Sequence, residues 1–360
     1  MSNSCLEVSR KAFMNNVLTV KKYINNEAGL IPVIKADAYG TYINRDIDLM
    51  NVFDIVAVAL VSEALELKNN GYKGDVLVLN QPFLSDISDI FDNDIVVGVC
   101  EKEFLNNTLG IDKKVRIHIE LETGMGRTGV CLKELDEFLD VCKKNSNILV
   151  EGVYTHFSSA DIDSRFTNKQ IDLFNEGIKK VKEVFPDIKY IHMAASNGIL
   201  NYDLGFCNYV RPGIILYGFP SNKSCLEKIK LEPVVSFKSK ISFIKKIDVG
   251  DSIGYGRSFV SDCPRVVATV SCGYADGVRR ELSNKGFVSI KECKCRILGK
   301  ICMDSFMVDI TNIKDVFVGD DVYIFDNKIV TVDDIALICD TINYEILTGI
   351  GQRVKRVFVD

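Results

Sequence analysis

For about two thirds of its length the chain alternates short apolar runs with helix-like patterns, and this alternation restricts its fold more than any other feature. The runs are Ile31–Ile34, Ile55–Leu60, Val76–Leu79, Ile95–Val99, Val115–Leu121, Ile148–Val153 and Tyr190–Met193. Between several of them lie Ser62–Asn70, Leu132–Lys144 and Asn168–Phe185, which have helical spacing. A strand covered on both faces has no polar side to show, so it reads as an unbroken apolar run. Strands alternating with helices build βα units and a parallel sheet. About eight such units in roughly 230 residues fit a closed (β/α)₈, TIM-like barrel better than an open sheet. In that architecture the chemistry sits in the loops that follow the strands.

The pattern changes near Leu231-Glu232-Pro233. Beyond it come period-2 strands with few helices: Val235–Ile244, Arg265–Val270, Phe287–Ile290, Cys295–Leu298, Phe306–Ile310 and Asp321–Phe325. Turns such as Val249-Gly250-Asp251 separate them, as expected of an all-β domain. The expected division is a barrel over 1–229 and a C-terminal β-strand domain over 230–360. Hydrophobic residues make up 47% of the 360 and charged ones 26%, enough for a sizeable core and too apolar for a disordered chain.

Composition also removes several classes of function. The net charge is −5 with no dominant basic patch, which argues against nucleic acid and anionic membrane as partners. Twelve cysteines are scattered, and the close pair Cys293 and Cys295 lacks zinc-knuckle spacing. With three histidines, a Cys/His metal site is not expected. Residues 1–11 lack an apolar stretch of signal-peptide length, and no segment has the apolar length of a membrane helix. Reduced thiols in a cytoplasmic protein are the simplest account.

Polar groups cluster where barrel strands should end. Lys35 lies in Val33-Ile34-Lys35-Ala36-Asp37-Ala38-Tyr39-Gly40, at the end of an apolar run. Burial there lowers an amine's pKa and makes it a nucleophile able to form a Schiff base. Read alone, Lys35 is a surface lysine at a strand end. Arg127 lies among glycines in Glu122-Thr123-Gly124-Met125-Gly126-Arg127-Thr128-Gly129 and is placed to clamp a carboxylate or phosphate. Thr155 and His156 follow one strand, and His192 and Ser196 another. Arg211-Pro212-Gly213-Ile214 follows Asn208–Val210; the free N–H groups of its turn, with the Ser196 hydroxyl, suit a phosphate. Each has a plainer reading: a surface ion pair, a core histidine, a helix cap. Two histidines and two arginines on one barrel face make a site the better reading. In the second domain Gly254-Tyr255-Gly256 exposes a phenol, or forms an ordinary hairpin tip. Two more polar loops hold Tyr274 and Met303.

Taken in order, VIKADAYG, ETGMGRTG, YTHFSSAD, HMAASNG, VRPGIILYG, GDSIGYGR, SCGYADG, GKICMDSFMVD and YEILTGIGQRVKRV resemble the alanine racemase family, the fold-type III pyridoxal phosphate enzymes. The resemblance covers nearly the whole chain and implies the same barrel and β domain. It implies that Lys35 holds pyridoxal 5'-phosphate covalently and is one acid/base, and that Tyr255, donated by the partner subunit of a homodimer, is the other. It further implies Arg211 facing the pyridine nitrogen, with His156 and His192 linking that arginine to the tyrosine. Tyr39, Ser196, Gly213 and Ile214 match the phosphate cradle. Arg127 and the Met303 N–H match the holders of the substrate carboxylate, with Tyr274 also in contact with substrate. The implied activity is racemisation of L-alanine to D-alanine by two bases, supplying D-amino acid for cell-wall peptidoglycan. No metal, nucleic acid or membrane is implied.

Four positions depart from the family pattern. Thr41-Tyr42 replaces His-Gly after the lysine motif, and the following helix looks short. Glu120 stands where many members carry a carbamylated lysine, and the alternation of Val115, Ile117, Ile119 and Leu121 turns it toward the barrel interior, where it could orient Arg127. Ala195 replaces a frequent asparagine before Ser196. Gln352 is read as standing where several members carry an entrance tyrosine and is counted with the cofactor-binding residues; an amide there would accept a substrate hydroxyl, which makes serine an alternative substrate. A non-catalytic pyridoxal phosphate carrier is the rival from another class, but such proteins lack the β domain and the tyrosine. A fold-type III decarboxylase is the other enzyme alternative, and favours a glutamate at the ring nitrogen.

Overall fold

The computed structural model describes residues 3–25, 27–110, 113–220 and 227–360. The chain forms two compact units, Met14–Ala38 with Ile43–Glu232, and Met1–Phe13 with Tyr39–Tyr42 and Pro233–Asp360.

The first unit is a ring of parallel strands. Ile55–Val58, Asp75–Val78, Val96–Val99, Val115–Glu122, Ile148–Tyr154 and Tyr190–His192 pair in that order. Tyr209–Val210 pairs with Gly29–Leu30, and single bridges Val33–Ala57 and Ala195–Arg211 join this pair to both edges of the larger sheet. The ring therefore closes over eight strands. Ile55–Val58 and Val96–Val99 are buried at every position, as strands lined on both faces must be. Val115–Glu122 differs, because polar residues alternate with apolar ones, and both His118 and Glu120 are buried inside.

The covering helices form for ordinary reasons. Leu132–Lys144 buries Leu135, Phe138, Leu139 and Cys142, one stripe at helical spacing. Ser164–Val184 starts at Asp163, whose carboxylate accepts from the Phe166 N–H at 2.9 Å. Within it Gly177 meets Leu121, where an added Cβ would lie 2.5 Å from a methyl.

The second unit centres on Val235–Ile247. Its first half pairs with Asp321–Phe325 and its second half with Arg265–Val270, with a register shift between Ile241 and Phe243. Phe287–Ile290, Cys293–Leu298 and Phe306–Asp309 complete the circuit, so this sheet also closes on itself. The helices Val332–Ile338 and Asn343–Thr348 were not expected from the strand-rich pattern.

The N-terminus differs from the expected division. Cys5–Ser9 pairs antiparallel with Val235–Ile247 and parallel with Lys355–Val359, so the first thirteen residues join the later unit, not the barrel. The strand buries Leu6 and Val8 on one face. Five residues of alternation show that a strand forms, but not which distant edge it meets.

Candidate active site

Arg211 is the organising group of the barrel interior. Its side chain is 1% exposed. Nη1 donates to His192 Nδ1 at 2.7 Å and to the His192 carbonyl at 2.8 Å. Nη2 donates to the Thr155 carbonyl at 2.8 Å and lies 3.4 Å from His156 Nδ1. A guanidinium has only donors, so His192 Nδ1 accepts and Nε2 carries the proton. That Nε2 lies 2.9 Å from His118 Nδ1, which must accept in turn, leaving the His118 proton on Nε2. This last N–H has no partner among the described residues. One arginine thus fixes the tautomers of two imidazoles. Burial pulls Arg211 down to about 10, which still leaves it charged at neutral pH. Burial, followed by the nearby cations, pulls His118 and His156 down to about 3 and His192 well down, so all three are neutral.

Lys35 opens the loop that follows the first barrel strand. It is half-buried, and desolvation lowers its pKa, with Arg127 and then Arg211 acting in the same direction and Glu63 opposing them. Glu120 is 3% exposed. Burial pushes its carboxyl up, while hydrogen bonds from Thr128 and Tyr154 and the charges of Arg127 and Arg211 pull it down. Among the described residues Glu120 and Arg127 make no direct ion pair; they act on each other by charge. Arg127 is exposed on a loop shaped by Glu122, whose carboxylate accepts from the N–H groups of Gly124 and Gly126. Gly129 in this loop has φ +122°, and a Cβ there would lie 2.5 Å from the Glu122 nitrogen, so glycine is required. The Ser196 hydroxyl accepts from the Gly213 N–H at 3.0 Å, just before the turn Ile214–Tyr217.

The family model for the alanine racemase N-terminal domain matches residues 8–220, and that for the C-terminal domain matches 234–358. The chain belongs to the alanine racemase family. Among its relatives, the alanine racemase of Geobacter sp. strain M21 is 34% identical, with 98% of each chain covered. That of Cutibacterium acnes is 36% identical, over 99% of this chain and 98% of the relative. A solved alanine racemase from Clostridium difficile 630 superposes with a TM-score of 0.93 at 33% identity, covering 100% of this chain and 96% of the other. The alanine racemase of Bacillus anthracis with bound L-Ala-P superposes with a TM-score of 0.92 at 31% identity, covering 100% and 96%.

The second unit carries the other residues expected at the site. Tyr255 lies at the turn between Ser252–Ile253 and Phe259–Val260, between Gly254 at φ +73° and Gly256 at φ +69°, and is 70% exposed. Tyr274 and Met303 are also exposed, and their loops are stitched together. The Tyr274 N–H donates to the Cys302 carbonyl at 3.0 Å, and the Ala275 N–H to that of Met303 at 3.1 Å. Asp276, 3% exposed, holds this arrangement through Arg353 at 2.7 and 3.0 Å. Tyr39 is buried, with its ring 5.9 Å from that of Tyr344. Gln352 is exposed in the turn before Lys355–Val359. The aromatic residue beside Tyr39 is therefore Tyr344, eight residues earlier in the chain than Gln352.

Sequence reading overlooked three groups in the barrel. His118 completes the imidazole chain. Gln170, fully buried, donates to the Thr123 hydroxyl and the His156 carbonyl, both at 3.2 Å, and ties the Arg127 loop to the His156 loop. Glu63 reaches the Lys35 turn. For His118 a signal existed, since a histidine that breaks an apolar strand run must face something polar inside.

The depressed histidines carry a pH prediction. In the unfolded chain each titrates near 6.5. Between about pH 3 and that value the unfolded state binds protons that the native state refuses, so this stability is complete above about 6.5 and lost on acidification. Calorimetric unfolding at pH 5.5 is expected to take up about two to three protons, Glu120 releasing up to one. An uptake near zero would contradict the neutral imidazole cluster.

Proposed function

We propose that the chain racemises alanine with pyridoxal 5'-phosphate, using Lys35 and Tyr255 as acid/base groups on opposite faces of the substrate. The observation that carries this reading is the buried Arg211, tied to His192 and Thr155, in the same barrel as a lysine of lowered pKa. The donor set fits the cofactor. Lys35 would hold its aldehyde carbon, Ser196 with the N–H groups of Gly213 and Ile214 and the Tyr39 phenol its phosphate, and Arg211 its ring nitrogen. When bound, the cofactor supplies an electron sink that acidifies the substrate Cα–H.

The protein's own groups do the rest. Lowering the pKa of Lys35 favours its neutral amine, the form that accepts a proton where an ammonium cannot. Arg211 does not surrender its proton, so it would leave a ring nitrogen facing it unprotonated, which would disfavour transamination. Tyr255 returns a proton to the opposite face. Its exposure and its place at a hairpin tip support a role at the site of a partner subunit, and hence a homodimer with shared sites. Arg127 and the Met303 N–H would hold the substrate carboxylate, with Tyr274 beside it.

Glu120 would supply negative charge behind Arg127. Glu120→Gln is expected to raise the KM for alanine about tenfold, the effect of losing roughly 1.4 kcal/mol of charge stabilisation. Steady-state kinetics that leave both KM and kcat unchanged would remove Glu120 from the site.

The relatives named above are all alanine racemases, so alanine is the substrate proposed and serine is not favoured. The test is a racemase assay of purified protein on L-alanine and L-serine side by side. No D-alanine formed by pyridoxal phosphate-loaded protein would sink the proposal. Among the described residues no helix is long and apolar enough to cross a membrane.

A further inference from the structure

Ala36, Asp37, Ala38 and Tyr39 have φ values of +53, +53, +52 and +56°, four successive non-glycine residues in the left-handed region. L-residues avoid that region because Cβ crowds the next carbonyl, so such a turn persists only where its surroundings hold it. It follows Lys35 directly and decides where the lysine side chain leaves the backbone.

The strand before it is zipped to its neighbour up to Ile34. The Ala57 N–H donates to the Pro32 carbonyl at 2.8 Å, and the Ile34 N–H to the Ala57 carbonyl at 2.9 Å. The next donor in that rhythm is the N–H of Ala36. It meets a side chain in place of the neighbouring backbone: Glu63 Oε1, at 2.5 Å. The other oxygen, Oε2, accepts from the N–H groups of Ala59 at 2.8 Å and Leu60 at 3.0 Å. A glutamate reaching back to the residue before its helix is an ordinary helix start. The bond to Ala36, 27 residues away, is not part of that motif. It extends the ladder by one rung past the point where the backbone has turned away.

We propose that Glu63 is a positioning residue for Lys35, one carboxylate oxygen fastening the left-handed turn to the end of the adjacent strand and so fixing the direction from which the amine reaches the reacting centre. The role of Lys35 rests on the function proposed above; the clamp itself does not. Charge adds a second effect. The groups acting on Lys35 are Arg127 and Arg211, which lower its pKa, and Glu63, which raises it, with His156 neutral beside them.

The test compares the full-length protein with Glu63→Gln. A glutamine has one acceptor oxygen. Facing Ala59 and Leu60, it turns its NH₂ toward the Ala36 N–H and breaks that bond alone. Hydrogen exchange of the cofactor-free protein should show the Ala36 amide exchanging at least about tenfold faster while Leu60 is unchanged. In the loaded enzyme kcat should fall about 100-fold with KM changed less than about twofold, as misplacement of a catalytic group gives. The limb of the pH–rate profile belonging to Lys35 should move to lower pH. Exchange and kcat both at wild-type values, in Glu63→Gln and in Glu63→Ala alike, overturn the proposal. So does a loss of kcat with Ala36 exchange unchanged, which leaves charge alone, and so does faster exchange with kcat intact. Glu63→Ala repeats the test if the glutamine retains the bond. A wild-type protein that neither binds pyridoxal phosphate nor racemises alanine would refute the proposed function, and the exchange measurement would still decide whether Glu63 holds the turn.

Discussion

Replacing Lys35 with alanine is expected to lower alanine racemisation by at least about 10⁴-fold, the upper range for losing one acid/base group, because the same side chain also holds the cofactor. The expectation follows from its setting. Lys35 is half-buried, feels the charges of Arg127 and the buried Arg211, and is held below its usual pKa by desolvation first and by Arg127 next. Among the described residues Lys180, Lys189 and Lys238 are shifted the other way, upward, by carboxylate or phenol partners. The measurement is D-alanine formation by purified variant and wild type, together with borohydride reduction and peptide mapping. Reduction should fix pyridoxal phosphate on the peptide containing residue 35 in the wild type and on no peptide in the variant. A variant retaining more than about 1% of wild-type turnover would move the base elsewhere.

Tyr255→Phe is expected to lower turnover by about 10²–10⁴-fold, since it removes one proton and little volume. Its 70% exposed phenol has no part in the packing of its own hairpin, so the variant should keep wild-type thermal stability. The stronger test mixes the two defective proteins. If Tyr255 serves the partner subunit, a heterodimer of Lys35→Ala and Tyr255→Phe has one intact site and one doubly defective site. Random exchange makes half of the dimers hetero, so about a quarter of wild-type activity should return. No recovery after subunit exchange verified by mass spectrometry would reject the shared site. Recovery above half would need both sites of each heterodimer to work, which the arrangement forbids.

The barrel was legible because its strands are buried on both faces. Ile55–Val58 and Val96–Val99 have no exposed position, and runs of that kind announce a covered parallel sheet before any partner is known. Leu132–Lys144 was read to the residue because its apolar stripe is regular. Polar groups near the ends of several strands, Lys35, Arg127, His156 and Ser196 among them, were visible in the chain, since the loop after a strand is where this architecture places them. Cys5–Ser9 was not placed in the β unit, because its partners Val235–Ile247 and Lys355–Val359 lie more than 220 residues away. Tyr344 was missed beside Tyr39 for the same reason: the contact is spatial, between residues far apart in the chain.

Local chemistry along the chain was enough to determine the two architectures, the strand-end cluster and the pairing of Lys35 with Arg211 in one barrel. Periodicity and residue type act over a few positions, and those features need no more than that. The tertiary structure alone decided that the chain turns left-handed after Lys35, that Glu63 holds the turn, and that Arg211 sets the proton positions of His192 and His118. These depend on distances between groups brought together from separate strands, and folding sets such distances by packing, which no local pattern records.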